Sequence, residues 1–249
     1  MTKLRLAWAV TLVLVLLLGL AMSAPARLLS LVVPGDRISL QGLAGTVWQG
    51  SASRCVLRLP QGMVHLGKVR WSLDPLSLFT LTPRLTLRSE WGSQTIAGDV
   101  ALRGARDLDV ADFEARVSAD LLRQVLPVAV AGSFSVQVAE FALRDGLPDS
   151  GSGRVVWQDA AWRSPQGPVP LGSYAVDFEQ FSGQPLLGEV ITLAGPMQAN
   201  GSAQLEARSY RVDVLVTSEI GIDRPLENAL SLMAAPEGDG YRILLEGDL

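Results

Sequence analysis

From Ile38 onward the chain is written in short runs that alternate apolar and polar residues, punctuated by Gly, Pro, Asn and Asp. SFSVQVAEF (133–141) places Phe134, Val136 and Val138 at every second position, with Phe141 following after a shift of one. A period of two matches the pleat of a strand with one buried and one wet face, and no helix can use it. The same alternation recurs in SRCVLRL (53–59), KVRWSL (68–73), RLTLRSEW (84–91), GDVALRG (98–104), YAVDFEQF (174–181), AQLEARSYRVDVLV (203–216) and YRILLEG (241–247). Runs this closely spaced predict an antiparallel meander.

Two stretches depart from that period. VSADLLRQVLP (117–127) sets Leu121, Leu122, Val125 and Leu126 on one helical face, with Ser118 or Asp120 as a cap and Pro127 as terminator. In 218–236, Pro225 suits a first turn, and Leu226, Ala229, Leu230 and Met233 form an i, i+3, i+4, i+7 stripe. Each stretch follows one strand and precedes another.

The chain also repeats itself. GTVWQGSA (45–52) returns as GRVVWQDAA (153–161), and PQGMVHLG (60–67) returns as PQGPVPLG (165–172). Leu85-Thr86-Leu87 faces Ile191-Thr192-Leu193, Val117-Ser118 faces Val216-Thr217, and closing strands begin at Gly132 and Gly240. Five matches in order, at offsets of 99 to 109 residues, point to a duplication of about 105. The expected fold is mainly β: two tandem, similar antiparallel halves, each with one short helix, behind a single N-terminal transmembrane helix. The expected segments are a head (1–5), an anchor (6–24), a linker (25–39) and two β-rich repeats (40–145 and 146–249), with the boundary in the turn-rich LRDGLPDSGSGR (143–154). The repeated Trp strings read as core positions, with an exposed ligand-contacting Trp as the competing reading. The PQG strings read as hairpin turns, with Gly62 and Gly167 at positive φ.

The block from Leu6 to Ala24 carries no charge and follows a basic head, Lys3 and Arg5. Nineteen residues at about 1.5 Å each span about 28 Å, close to the hydrocarbon thickness of a bilayer. A cleaved signal peptide has a shorter apolar stretch. Ala21-Met22-Ser23 and 23–26 offer small-residue exits, so cleavage stands as the alternative, but the length favours an uncleaved anchor. The basic head would stay in the cytoplasm, with the body outside.

Charge and composition narrow the function. Twenty-one basic residues against 25 acidic give a net charge of −4, and setting aside Lys3 and Arg5 leaves 19 against 25, or −6. Scattered arginines on an acidic body exclude a nucleic-acid partner. One cysteine, Cys55, forms no internal disulfide and builds no Cys-rich metal site; it reads as a small buried hydrophobe. The only histidine, His65, has Pro170 at the matching position of the second copy and reads as an edge or surface residue. A hydrolase would have to use His65 or a carboxylate pair, and pairs such as Asp107 and Asp109 read as loop residues. No G-x-S-x-G elbow, phosphate loop or dinucleotide fingerprint occurs in the sequence. The expectation is a chain without catalytic, cofactor-binding or metal-binding residues.

An apolar anchor, then L-x-G-L-A-G-T-V-W-Q-G-S-A (40–52), then L-G-x-V-x-W-x-L-x-P-L (66–76) resembles the type II secretion system protein N family of Gram-negative bacteria, over essentially the whole chain. Related strings occur in AsmA-like and TamB-like envelope proteins. The resemblance implies an accessory inner-membrane component, single-pass with a periplasmic body. Its implied role is to support the export of folded exoproteins across the outer membrane, and its implied partners are the inner-membrane platform subunits. It carries over no catalytic residue. The competing expectation is a periplasmic lipid-binding or envelope-assembly module, in which a curved sheet with an apolar face holds acyl chains.

Overall fold

The structure, a computed structural model, describes residues 8, 12–13, 16, 19–32, 35–59, 62–120, 130–164, 167–218, 221, 224–231 and 234–248. Among the described residues, fourteen strands form one open antiparallel sheet. They are β1 (Ile38–Gly45), β2 (Gln49–Leu59), β3 (Gly62–Leu73), β4 (Arg84–Trp91), β5 (Gln94–Leu102), β6 (Leu108–Ser118), β7 (Val130–Arg144), β8 (Leu147–Ser164), β9 (Gly167–Gln180), β10 (Leu186–Ala194), β11 (Met197–Glu206), β12 (Ser209–Ser218), β13 (Ala235–Glu237) and β14 (Gly240–Asp248). Each strand pairs with the next in sequence, except that β14 lies beside β12 and the three-residue β13 closes the outer side. Two short helical elements lie against the sheet. One is Ala26–Leu28 continued by α1 (Leu29–Val32); the other is α2 (Arg224–Leu230).

The register makes the sheet two-faced along its whole width. One unbroken row of paired residues runs Leu43, Ala52, Val69, Ser89, Ile96, Ala115 and Val136. It continues through Val155, Val176, Val190, Gly201, Val214 and Ile243. Only Ser89 in that row is polar. The adjacent row, on the opposite face, includes Arg70, Arg88, Glu114, Gln137, Arg154, Asp177, Glu189 and Asp213. Alternation within each strand becomes an apolar face and a polar face only because the pairing keeps every strand in phase.

Little packs across the apolar face among the described residues. Its two clusters centre on Ala26, Ala52 and Trp71 near β1, and on Met197, Val216 and Leu226 near β14. Between them, residues such as Phe113, Val138, Val155 and Phe178 remain half-buried. The chain exposes 16241 Å², against roughly 11,000 Å² for a compact monomer of this mass.

The sheet compensates by packing on itself. Trp71 pairs directly with Gly50, Phe141 with Gly151, Phe178 with Gly153, and Tyr210 with Gly247. A Cβ on Gly153 would lie 2.6 Å from Phe178 Cζ and 2.6 Å from the Gln137 carbonyl oxygen, and one on Gly151 would lie 2.5 Å from Phe141 Cδ2. The rings therefore occupy the space over glycines of the neighbouring strand, and Phe141 and Phe178 meet edge to face at 6.3 Å, burying apolar area within the sheet.

Several expectations meet the structure here. All eight quoted runs fall on strands, but AQLEARSYRVDVLV is two strands, β11 and β12, joined by a turn at Ala207 and Arg208. Ala207 takes φ 52 without the Gly or Asn that marks such turns. LRDGLPDSGSGR (143–154) is not a loop. Only Asp145 and Gly146 turn, at φ 52 and 79, and β8 pairs with β7 on one side, with a register shift at Ala142/Leu143, and with β9 on the other. Gly151 and Gly153 are strand residues beneath aromatic rings. The stretch 117–127 does not begin as a helix: Val117 and Ser118 end β6, Ala119 and Asp120 start a tight helical turn, and 121–127 lie outside the described residues. The second helix is shorter than 218–236, because Ser218 ends β12 and Ala235–Glu237 forms β13. Leu226 and Leu230 pack on Met197 and Val216 as the stripe requires.

Nine of the nineteen residues of 6–24 lie outside the described residues. Trp8, Leu12, Val13, Leu16 and 19–22 are helical, with Trp8, Leu12, Val13, Leu16, Leu20 and Met22 exposed. Among the described residues no helix is long and apolar enough to cross a membrane.

The glycine floors generate a test. Gly153→Ala is expected to lower the free energy of unfolding by about 1–3 kcal/mol, as overpacking does. Gly35→Ala, where a Cβ meets nothing within 4 Å, should stay within about 0.5 kcal/mol of the parent. Chemical denaturation of the full chain in detergent reads both, and equal midpoints would refute the ring-over-glycine account.

Candidate functional site

The repeated Trp string does not do one job twice. In the first copy, Gly45 at φ 86 ends β1, and Thr46 closes a tight turn: its amide donates to the Gln49 carbonyl at 2.8 Å, and its hydroxyl accepts from the Gln49 amide at 3.0 Å. The turn presents Val47 and Trp48 to the incoming N-terminal segment. The Val47 amide donates to the Ala24 carbonyl at 2.9 Å, Trp48 Nε1 donates to the Ala21 carbonyl at 2.8 Å, and Pro25 bridges to Thr46. Ala21 stands at the end of a helical stretch, where carbonyls lack partners within the helix. Trp48 thus caps the helix from outside. Trp71 braces the turn from below, its Nε1 donating to the Val47 carbonyl at 3.0 Å. Ala26 then seats on Ala52 and Trp71, with Leu29, Leu40, Leu43, Leu85 and Leu87 around it. Trp48 itself is half-buried, and its role is to clamp the N-terminal segment to the first edge of the sheet.

In the second copy, Trp157 lies within β8 on the apolar face. Its ring stacks on Phe134 at 5.4 Å and tilts against Tyr174 at 6.1 Å, while Nε1 donates to the Ala131 carbonyl at 3.0 Å. Burial pushes the Tyr174 phenol up to about 12, and its hydroxyl donates to the Leu171 carbonyl at 2.8 Å. The LG strings correspond more closely: Gly67 at φ 68 and Gly172 at φ 140 each stand where the strand register shifts. Gly167 takes φ 131; the intervening 60–61 and 165–166 lie outside the described residues.

The polar face is laced with arginine–carboxylate pairs. Arg154 pairs with Asp177 directly across β8 and β9, Arg211 with Glu246 at 2.8 Å, Arg242 with Asp213 at 2.6 Å, and Arg70 with Glu90 at 3.0 Å. Hydrogen bonds from Arg154 hold the Asp177 carboxyl below its ordinary value, and those from Arg242 do the same for Asp213. At Asp109, burial pushes upward but the hydrogen bonds from Arg103 and Arg144 outweigh it, and the net shift is downward. A groove of about 940 Å³ runs over this region, lined by Thr86, Asp99, Asp109, Glu140 and Glu179.

His65 is an exposed strand residue beside Trp91, with ring centroids 6.1 Å apart. Cys55 is 4% exposed, and burial pushes its thiol up. Asp109 is not a loop residue: it lies near the start of β6 in ion pairs with Arg103 and Arg144. Among the described residues no group of three or more His, Cys, Asp or Glu converges at metal-binding distance.

An N-terminal helical segment clamped to the edge of one long, two-faced antiparallel sheet defines a mainly β protein built on a single open sheet. Residues 36–244 match the family type II secretion system (T2SS), protein N, and the chain belongs to that family. Proteins of that name are 30% identical in Klebsiella pneumoniae over 238 residues (88% of this chain, 91% of the other) and 27% identical in Aeromonas hydrophila over 230 (89% of each). The Vibrio cholerae protein is 26% identical over 245 residues, 94% of this chain and 95% of its own. No solved structure matches.

Two expectations follow. Trp48→Phe keeps the ring and loses the bond to Ala21. A loss of about 1 kcal/mol in the junction should speed tryptic cleavage at the exposed Arg27 about fivefold through local opening; an unchanged rate removes the clamp. Arg242→Gln should return Asp213 toward its ordinary 3.8. A carboxyl held low in the fold contributes stability above that value and loses it as pH falls through the lowered one. Carboxyl NMR titration of parent and variant reads the shift, and matching curves would contradict the pairing.

Proposed function

We propose that this chain is a non-catalytic accessory component of the type II secretion system. Residues 6–24 hold it in the inner membrane with the N-terminus in the cytoplasm, and the sheet stands in the periplasm as a scaffold for inner-membrane platform subunits. Family membership supports the system. The observation that carries the scaffold reading is the Trp48 clamp: hydrogen bonds from Val47 and Trp48 to Ala24 and Ala21 couple the apolar helical segment rigidly to the first strand. A loosely tethered body would need no such junction.

The free sheet edges suit partner recruitment by strand addition. β13 pairs with β14 only from Gly240 to Arg242, which leaves the outer side of 243–248 open among the described residues. The two segments 40–145 and 146–249 are read as duplicated halves of this scaffold, supported by the matched register shifts at Gly67 and Gly172.

In-cell crosslinking followed by affinity purification from a secreting strain tests the proposal. The expected result is recovery of platform subunits, together with reduced exoprotein in the medium after gene deletion. Intact secretion with no platform subunit recovered would overturn it.

A further inference from the structure

The two halves of the sheet carry different charge. Residues 40–145 hold 11 basic residues against 10 acidic, or +1, whereas 146–249 hold 6 against 14, or −8. The acidic half ends in a strand with an open side. β14 pairs with β12 along its full length, from Gly240 opposite Thr217 to Asp248 opposite Ser209, with no register shift. On its outer side β13 reaches only Gly240, Tyr241 and Arg242. Beyond Arg242 the chain leaves the edge, because the amide of Ala234, just before β13, donates to the Leu230 carbonyl of α2 at 2.7 Å. Among the described residues the backbone of 243–248 has no neighbour on that side.

Three observations say what fits there. First, the edge is not blunted. Soluble sheets protect an edge with lysine, proline or a bulge, but 243–248 reads ILLEGD, and Leu244 and Leu245 remain 54% and 41% exposed. Second, its two faces differ. Ile243 and Leu245 continue the apolar face beside Val214 and Val212, while Leu244, Glu246 and Asp248 continue the polar face beside Asp213, Arg211 and Ser209. An added strand in phase with this one is aliphatic on one side only. Third, the polar side is acidic at this corner. A groove of about 480 Å³ opens over Glu206, Ser209, Arg211, Glu246 and Asp248. Arg211 pairs with Glu246 at 2.8 Å, and the Ser209 hydroxyl donates to Asp248 at 2.6 Å, which leaves three carboxylates against one guanidinium. A cation entering from an added strand is attracted there, and an anion is repelled. The same field works against a second copy of the chain. Pairing two 243–248 segments in phase sets the Glu246 and Asp248 carboxylates of both copies along one short stretch of a shared face.

We propose that the open edge of β14 accepts a strand from a partner protein, an extended segment with aliphatic residues on one face and lysine or arginine on the other. Its backbone completes the hydrogen-bond ladder outside 243–248. Its aliphatic residues extend the row of Ile243 and Leu245, and its cations meet Glu246 and Asp248. The inference deepens the scaffold reading and rests on it for the partner's place in the secretion machine.

The test uses the full chain in neutral detergent with two fluorescent octapeptides, one alternating valine and lysine, the other valine and glutamate, read by anisotropy. The lysine peptide is expected to bind with a Kd about tenfold lower than the glutamate peptide. Glu246→Lys together with Asp248→Lys should reverse that preference. Glu189→Lys, exposed on the polar face of β10 away from the edge, should keep it. The lysine peptide methylated at every backbone nitrogen should lose binding, since it cannot extend the ladder. p-Benzoylphenylalanine in place of Leu244 reports the occupant, and an adduct with the lysine peptide is expected. Equal affinity for the two peptides, a preference unmoved by the double change, undiminished binding of the methylated peptide, or an adduct at 244 joining two copies would each overturn the proposal. Should circular dichroism show the double lysine variant unfolded, Glu246→Gln with Asp248→Asn replaces it, and loss of the lysine preference is then the expected result. Recovery of platform subunits from cells without peptide binding would remove the cationic strand and leave the scaffold reading standing, so the two fail separately.

Discussion

Everything in this structure depends on aromatic rings packed closely against glycines of the adjacent strand. A sheet ordinarily buries its apolar face against a second layer. Here Trp71, Phe141, Phe178 and Tyr210 find much of their contact within the layer itself, over Gly50, Gly151, Gly153 and Gly247. The cost of a glycine in a strand, about 1 kcal/mol or less in backbone entropy, is offset by the ring area it shelters. Open sheets of more than about ten strands tend to curl, split or flatten. These intralayer contacts help this one extend to fourteen strands among the described residues.

The polar face stabilises the same arrangement in a different way. Cross-strand pairs such as Arg154 with Asp177 and Arg211 with Glu246 hold neighbouring strands in phase. They are solvent-exposed, so each contributes little by itself and weakens with salt. Their larger consequence is for register. A slip of one residue would carry arginines onto the aliphatic row and valines into water. The pattern therefore penalises misregistration far more than it rewards any single pair.

The Trp48 turn connects that sheet to the chain's apolar beginning. Two hydrogen bonds and one buried alanine, Ala26, fix where the N-terminal segment leaves the sheet. The same short string thus serves anchoring, while its echo at Trp157 serves packing among Phe134 and Tyr174. Two equal words in the sequence acquired different roles because one falls in a turn at the sheet's edge and the other inside a central strand.

The sequence by itself determined the strands, the polarity of their faces and the burial of Cys55, because period-two alternation and local hydrophobicity are properties of neighbouring residues. It also marked the α2 stripe, since Leu226 and Leu230 are one helical turn apart. What it did not determine was which glycines turn the chain and which lie beneath a ring. The 143–154 stretch reads as turn-rich throughout, yet Gly151 and Gly153 are strand residues whose reason for being glycine sits on β7 and β9. The turn at Ala207 was equally hidden, for it lacks the residue type that announces one. Only the tertiary structure decided that thirteen strands share one register row and that Trp48 reaches back 27 residues to Ala21. Those are facts about residues far apart in the chain, and no local period encodes them.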